Sequence, residues 1–337
     1  MGAMLAAYLH RISPNAIDFP EGFFLDGIRW YGLSYLLGFL VGYWLIMRVA
    51  SVGRTTLKAQ YVGDLVVAMA IGIVVGGRMG YALFYNPSLF GPIDRFPWWG
   101  LLALNEGGMA SHGGLIGGII ACGFYSRRHQ HSWPHMLDLL AFGTPMGLFF
   151  GRIANFINGE LYGRPCSDDF ALAVKFPQEM FNHPPVQILQ LGERFLGAEA
   201  AGKFSRHEIA ERLIEMIQGG DQAVMEAVKP LLTTRHPSQL YEAVLEGLVV
   251  FLVLVALWAK PRKPLVLGGT FCLVYGVLRI AVEFFRQPDH SIGFQALDLT
   301  RGQWLSILPV AAGIILLLIF TRRNVEPMGG WLAPDTD

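Results

Sequence analysis

The sequence predicts an all-α, polytopic membrane protein with seven transmembrane helices and a small extracytoplasmic helical cap. Three observations carry that expectation. Of the 337 residues, 53% are hydrophobic and only 15% are charged, where a soluble domain carries roughly 25% charged residues. The mean hydropathy is +0.41. Apolar stretches of about 20 residues, long enough to cross the hydrocarbon core, recur seven times, at about 28–48, 62–85, 110–126, 135–157, 237–259, 266–285 and 303–321.

Read in order, the chain divides into an N-terminal extracytoplasmic segment (1–27), helices one to four (28–157), an extracytoplasmic head with a helical insert (158–235), helices five to seven (236–323) and a cytoplasmic tail (324–337). Lys and Arg bias sets the orientation. With the N-terminus outside, Arg48, Arg54 and Lys58, then Arg127 and Arg128, then Lys260, Arg262 and Lys263, then Arg322 and Arg323 fall on the cytoplasmic side. The short outer segments hold mainly Arg11, Arg29, Arg95, Arg286 and Arg301, partly offset by acids. Residues 1–27 show no basic stretch followed by an apolar core and a cleavage site, so no removable signal peptide is expected. In the head, SRHEIAERLIEMI opens with a capping-box pattern, Ser205 and Glu208, and carries Ile209, Leu213 and Ile217 at helical spacing. A second short helix is expected at about 221–231. The tail after Arg323, rich in Pro, Gly and Asp, reads as disordered.

Composition also excludes functions. Formal net charge is zero and no basic block suggests nucleic acid. Cys122, Cys166 and Cys272 are widely spaced with no CxxC, so neither a zinc site nor a disulfide framework is indicated. His129, His131 and His135 lie in a basic cytoplasmic loop, and no metal is expected there.

Polar residues inside apolar runs need explaining, because they are costly in lipid and mark either a pairing or a site. In the sixth run, YGVLRIAVEFFRQPD places Tyr275, Arg279, Glu283 and Arg286 at i, i+4, i+8 and i+11, a stripe about 80° wide at about 100° per residue. In the fifth, HPSQLYEAVLEG places Gln239, Glu242 and Glu246 on one stripe. Either stripe could simply pair within the bundle. His112 in ASHGGLIGG stands alone among small residues, the setting of a structural histidine as readily as of a base. Arg78 in GGRMGYALFY poses the same question, and so do Tyr31 and Tyr35 in WYGLSY, although interfacial Tyr is commonly an anchor.

Topology adds a constraint. Runs two, four and six go outward, so Arg78, Arg152, Arg279 and Glu283 fall in their outer parts. Tyr31 and His112 fall near the outer starts of runs one and three. Shared depth points to one site near the outer leaflet. Arginine forks suit a phosphate or carboxylate, and a phospholipid headgroup fits that inventory. A secondary transporter for an organic anion would use the same arginines, yet no inverted repeat is visible. No GxSxG nucleophile or paired aspartate suggests an intramembrane protease.

The run GRIANFINGELYGRP resembles the signature of bacterial prolipoprotein diacylglyceryl transferases, G-R-x-x-N-F-x-N-x-E-x-x-G, through Gly151, Arg152, Asn155, Phe156, Asn158, Glu160 and Gly163. The likeness extends in family order to WYGLSY, GGRMGYALFYNP, GGMASHGGLIGG, HPSQLYEAVLEG and YGVLRIAVEFFRQPD. The segment at about 190–233 is longer than in many members. The resemblance implies an enzyme of the bacterial cytoplasmic membrane that uses phosphatidylglycerol and a prolipoprotein signal peptide with a lipobox cysteine. Among its implied site residues, His112, Arg152 and Arg279 are catalytic. Tyr31, Arg78, Asn155, Asn158, Glu160, Gly163, Glu246, Tyr275 and Glu283 are the expected lipid-binding and supporting set. No metal or organic cofactor is implied.

Overall fold

The computed structural model describes residues 7–20, 27–94, 96–104, 107–288, 293 and 295–332. Long helices occupy every one of the seven apolar runs: α1 Trp30–Val52, α2 Val62–Phe84, α3 Ser111–Arg128, α4 Trp133–Asn158, a composite fifth segment Ser238–Leu257, and two later helices, Val266–Val282 and Arg301–Phe320. Among the described residues, five of these segments are long and apolar enough to cross a membrane. The helix Val266–Val282 is apolar but shorter. The eighteen residues of α3 include His112, five glycines and two terminal arginines, and span only about 26 Å against a core of about 30 Å.

The chain forms two compact units. The first comprises Met1–Leu37, Gly147–Val249 and Tyr275–Leu308. It adds five short strands to a mostly helical chain: β1 Tyr8–Leu9, β2 Asn15–Asp18, β3 Gly27–Arg29, β4 Val174–Lys175 and β5 Thr234–Arg235. β1 pairs parallel with β4, β4 pairs antiparallel with β5, and β2 and β3 form a bulged antiparallel pair. Strands of two to four residues lie at or below the lower edge of the four- to eight-residue window in which alternation is legible. The N-terminal residues 1–6 and 21–26 lie outside the described residues, as does Arg95.

The head of this unit is a helical cluster: α5 Pro185–Leu196, α6 Ala198–Ala201, α7 Arg206–Gln218 and α8 Gln222–Val228. Ser205 and Glu208 close the capping box at the start of α7. α5, unforeseen from the sequence, starts on Pro184-Pro185, with proline tolerated where no helical N–H is needed. Leu9, Met180, Ile188, Leu191, Ile209, Leu213, Ile217, Val224 and Val228 form its core. The segment after β5 runs as α9 Ser238–Glu242, a π-helical stretch Ala243–Val249 and α10 Val250–Leu257.

The second unit comprises Gly38–Met146, Val250–Val274 and Pro309–Asp337. Here α2 and α3 approach through facing glycines. A Cβ on Gly80 would lie 2.9 Å from Gly113 Cα, and one on Gly76 2.7 Å from Gly117 Cα, the small-residue packing typical of membrane helices. Asp138 accepts from the backbone N–H groups of Leu265 and Gly268, both at 2.7 Å, and so caps α11 (Val266–Val282). The last helix, α12 Arg301–Phe320, leads into a tail that is ordered to residue 332, against expectation. Trp258 Nε1 donates to the Met328 carbonyl, Trp331 Nε1 donates to the Val255 carbonyl, and Gly329, at φ +73°, lies flat on the Trp258 ring. Gly329 thus serves a close approach rather than flexibility. Residues 333–337 lie outside the described residues.

Candidate active site

The end of α4 explains the spacing of the GRIANFINGE run. Gly159, at φ +67°, takes the left-handed conformation that a side chain disfavours. Its N–H bonds the Phe156 carbonyl, and the Glu160 N–H bonds the Asn155 carbonyl. This is a Schellman stop. It folds Glu160 back over the last turn, where Asn155 Nδ2 donates to Glu160 Oε1 at 2.7 Å. Gln239 Nε2 on α9 donates to the Glu160 carbonyl.

One turn earlier, Arg152 meets the fifth segment. Its Nη1 lies 2.9 Å from Glu242 Oε2, and its Nη2 lies 3.1 Å from Glu246 Oε2. Gly247 permits this approach: a Cβ there would sit 2.6 Å from that of Phe149. The π-helical stretch carries Glu246 on its inward face, in keeping with the concentration of such stretches at functional sites.

Arg279 of α11 shares the same carboxylates. It lies 3.5 Å from Glu246 through Nε, 3.9 Å from Glu242 through Nη1 and 2.5 Å from Glu283 through Nη1. Arg286 completes the cluster at 3.0 Å from Glu242. Three arginines thus face three glutamates. Tyr275 lies within electrostatic reach of Arg152, Arg279, Glu242 and Glu246. Exposure is unequal: the side chains of Arg152 and Arg279 are 17% and 11% exposed, those of Glu242 and Glu246 1% and 0%. An anion approaching the cluster therefore meets guanidinium first, with the carboxylates behind. Each guanidinium carries five N–H donors in a planar fork, the geometry that suits an oxyanion.

Glu283 is held from its other side. Thr300 Oγ1 donates to its Oε1 at 2.8 Å, and Gly302 leaves room for the carboxylate. Thr300 and Gln303 form a capping box at the start of α12: each side chain accepts from the other's backbone N–H. A carboxylate at a helix N-terminus is also favoured by the helix dipole.

The loop after Glu160 is bridged on both sides through its backbone. Gly163 N–H bonds the His236 carbonyl, His236 N–H bonds the Arg164 carbonyl, and Arg164 N–H bonds the Phe285 carbonyl. Gly163 pairs with Arg286 across this ladder. A Cβ on Gly163 would be 2.7 Å from the Phe285 carbonyl oxygen, so only glycine fits. Arg164 donates through Nε to the Arg286 carbonyl.

The structure brings Arg152, Asn155, Asn158, Glu160, Gly163, Glu246, Tyr275 and Glu283 with Arg279 into this one unit, together with Tyr31. Tyr35 donates to Tyr31 at 3.4 Å and lies within electrostatic reach of Glu160 and Arg152. Arg78 and His112 belong to the other unit. His112 is exposed near the start of α3. Arg78 is buried and donates to the carbonyls of Gly100, Leu101, Ala103, Gly107 and Gly108. Its fork ties down the chain between α2 and α3. In the sequence Glu242 stands out only as a stripe member, Arg286 as a stripe member and an outer-segment charge, and nothing marks Thr300. The signal for Glu242 was present: a second acid in one apolar run needs a cation.

Residues 22–319 match the protein family described as prolipoprotein diacylglyceryl transferase. The chain belongs to that family. A phosphatidylglycerol–prolipoprotein diacylglyceryl transferase of Bdellovibrio bacteriovorus is 48% identical, over 96% of this chain and 97% of that protein. Proteins of the same name from Stenotrophomonas maltophilia and Geobacter sulfurreducens are 39% and 36% identical, covering 94% and 89% of this chain and 95% and 93% of their own lengths. Membership places the chain among the transferases of lipoprotein biosynthesis and sets aside the transporter and protease readings.

Proposed function

We propose that the chain transfers the sn-1,2-diacylglyceryl group of phosphatidylglycerol to the lipobox cysteine thiol of a prolipoprotein signal peptide. A C–S bond forms at the glycerol carbon as its C–O bond to phosphate breaks, and glycerol phosphate leaves. This is the first step of lipoprotein maturation. Family membership across residues 22–319 carries the reading, and the Arg–Glu cluster supplies the chemistry.

Arg152 and Arg279 hold the lipid phosphate and neutralise the charge that grows on the departing oxygen. Donors aimed at developing charge in a water-poor site are often the largest catalytic contribution. Glu242, Glu246 and Glu283 orient the two forks and keep the cluster neutral before lipid arrives. Tyr31, Asn155, Asn158, Glu160, Gly163 and Tyr275 shape the headgroup pocket. His112 takes the proton of the thiol, whose free pKa is about 8.5; the family likeness motivates that role. Arg78 holds the segment between α2 and α3 in place and takes no part in the chemistry.

The chain crosses the bacterial cytoplasmic membrane seven times, N-terminus outside and C-terminus in the cytoplasm. Residues 1–27 and the head at 158–235 are extracytoplasmic, helices occupy 28–157 and 236–323, and 324–337 is the cytoplasmic tail. The Lys and Arg distribution supports this orientation. Purified protein, incubated with phosphatidylglycerol and a lipobox peptide, should yield the thioether by mass spectrometry and release glycerol phosphate. Absence of both products from folded protein would refute the proposal.

A further inference from the structure

The head contains a second buried ion pair that the chemistry just described does not use. Arg235 of β5 and Glu179 are 8% and 9% exposed and meet at 2.5 Å. Glu179 also accepts from the Thr233 backbone N–H and hydroxyl, both at 2.8 Å. The other arm of Arg235 donates to the Gly163 carbonyl at 3.1 Å, and its guanidinium lies 4.7 Å over the Tyr162 ring.

Glu179 precedes the helical insert, and Thr233 and Arg235 follow it. The pair therefore closes the base of the insert and grips the signature loop from the same point. From Gly163 the path to the cluster is short. Gly163 pairs through its backbone with Arg286, and Arg286 bonds Glu242, the carboxylate that Arg152 and Arg279 share.

We infer that Glu179 and Arg235 are positioning residues for diacylglyceryl transfer, fixing the Gly163 loop so that Arg286 and Glu242 hold the two phosphate-binding arginines in register. The inference rests on the transferase reading. Neither residue touches the lipid. A guanidinium is required because one planar fork must serve a carboxylate and a carbonyl at once.

The test uses the full chain in detergent, with phosphatidylglycerol and a lipobox peptide, and reads thioether formation per folded molecule. Arg235→Gln, Arg235→Lys, Glu179→Gln and the double variant Glu179→Gln/Arg235→Gln are compared. Loss of register should lower kcat by about 10–100-fold, while KM for the lipid stays within about threefold of wild type. Arg235→Lys should recover thermal stability but not kcat, and the double variant should be no worse than the poorer single one. A kcat per folded molecule equal to wild type makes the pair merely structural and overturns the inference. So does a rise in lipid KM at constant kcat, or losses that multiply in the double variant. If the Arg235 variants do not fold, Glu179→Asp, which keeps the charge and shortens the reach, is judged by the same criteria. A wild-type protein that forms no thioether would instead remove the transferase reading itself.

Discussion

Arg78 in α2 and Arg152 in α4 are arginines of helices long and apolar enough to cross a membrane, yet their surroundings differ in kind. Arg78 is wrapped by five backbone carbonyls. Arg152 faces two carboxylates that also serve Arg279 and Arg286. Carbonyl dipoles that belong to the chain cannot leave without unfolding it, so Arg78 is fixed. Carboxylates with several cationic partners can be shared again when an anion arrives. A cluster whose charges balance in the resting state, with its cations outermost, is prepared to accept a phosphate. A caged arginine is not.

The largest expected effect breaks that comparison at its functional end. Arg152→Gln or Arg279→Gln should lower turnover by about 10²–10³-fold, the cost of removing a donor aimed at transition-state charge. Arg78→Gln should leave kcat per folded molecule within about threefold of wild type, yet destabilise the chain by about 3 kcal/mol, because several buried carbonyls lose their donor. Limited proteolysis between residues 85 and 110 and a thermal melt would register this. A catalytic defect in Arg78→Gln at undiminished stability would show that the distinction between fixed and shareable partners is wrong.

How much of this was legible depends on whether the partner has a sequence signal. Ser205 and Glu208 announce a helix start because both halves of the box lie within four residues. Gly163 was readable as a fixed position of the signature, but not why: it serves a backbone pairing whose partners lie beyond any local window, while Gly159, which the signature leaves open, serves the helix stop. The arginine and glutamate stripes were visible as stripes, and opposite charge suggested their pairing. The partners of Arg78 are carbonyls, which every residue has, so nothing in the sequence could mark them. The tail misled through composition, since Gly329 and Pro-rich neighbours looked like disorder until Trp258 gave them a surface.

His112 sharpens the comparison from the substrate side. If the arginine cluster dominates, His112→Gln should cost only about 10–100-fold at neutral pH, at or below the lower end of the roughly 10²–10⁴-fold that general-base help supplies. Raising the pH should partly restore it, because the thiol then ionises unaided. The Arg152 and Arg279 variants should gain no such rescue, since the leaving phosphate still lacks its cation. Product formation against pH for the three variants decides the order. A His112 variant that is the most impaired, and remains so in alkali, would put proton transfer ahead of phosphate stabilisation.

The smallest effect concerns a third way of burying an ionisable group, which is to keep it neutral. His10 follows β1 and is 1% exposed, its ring edge-on to Phe156 at 5.3 Å and beside Phe176 at 5.4 Å. Burial pushes its pKa from the usual 6.5 down to about 4, and a backbone contact at Phe156 offsets only part of that. Because the folded value lies below the unfolded one, the unfolded chain takes up the proton first as pH falls. The stability that neutral His10 allows is fully present above about pH 6.5 and is lost progressively between there and pH 4. At pH 5 the loss should reach about 2 kcal/mol. Thermal melts at pH 7.5 and pH 5 should therefore show a larger acid-side drop for wild type than for His10→Phe, which has no proton to take up. Equal drops in the two proteins would mean that acid acts elsewhere, with Phe156 and its neighbours indifferent to the charge on His10.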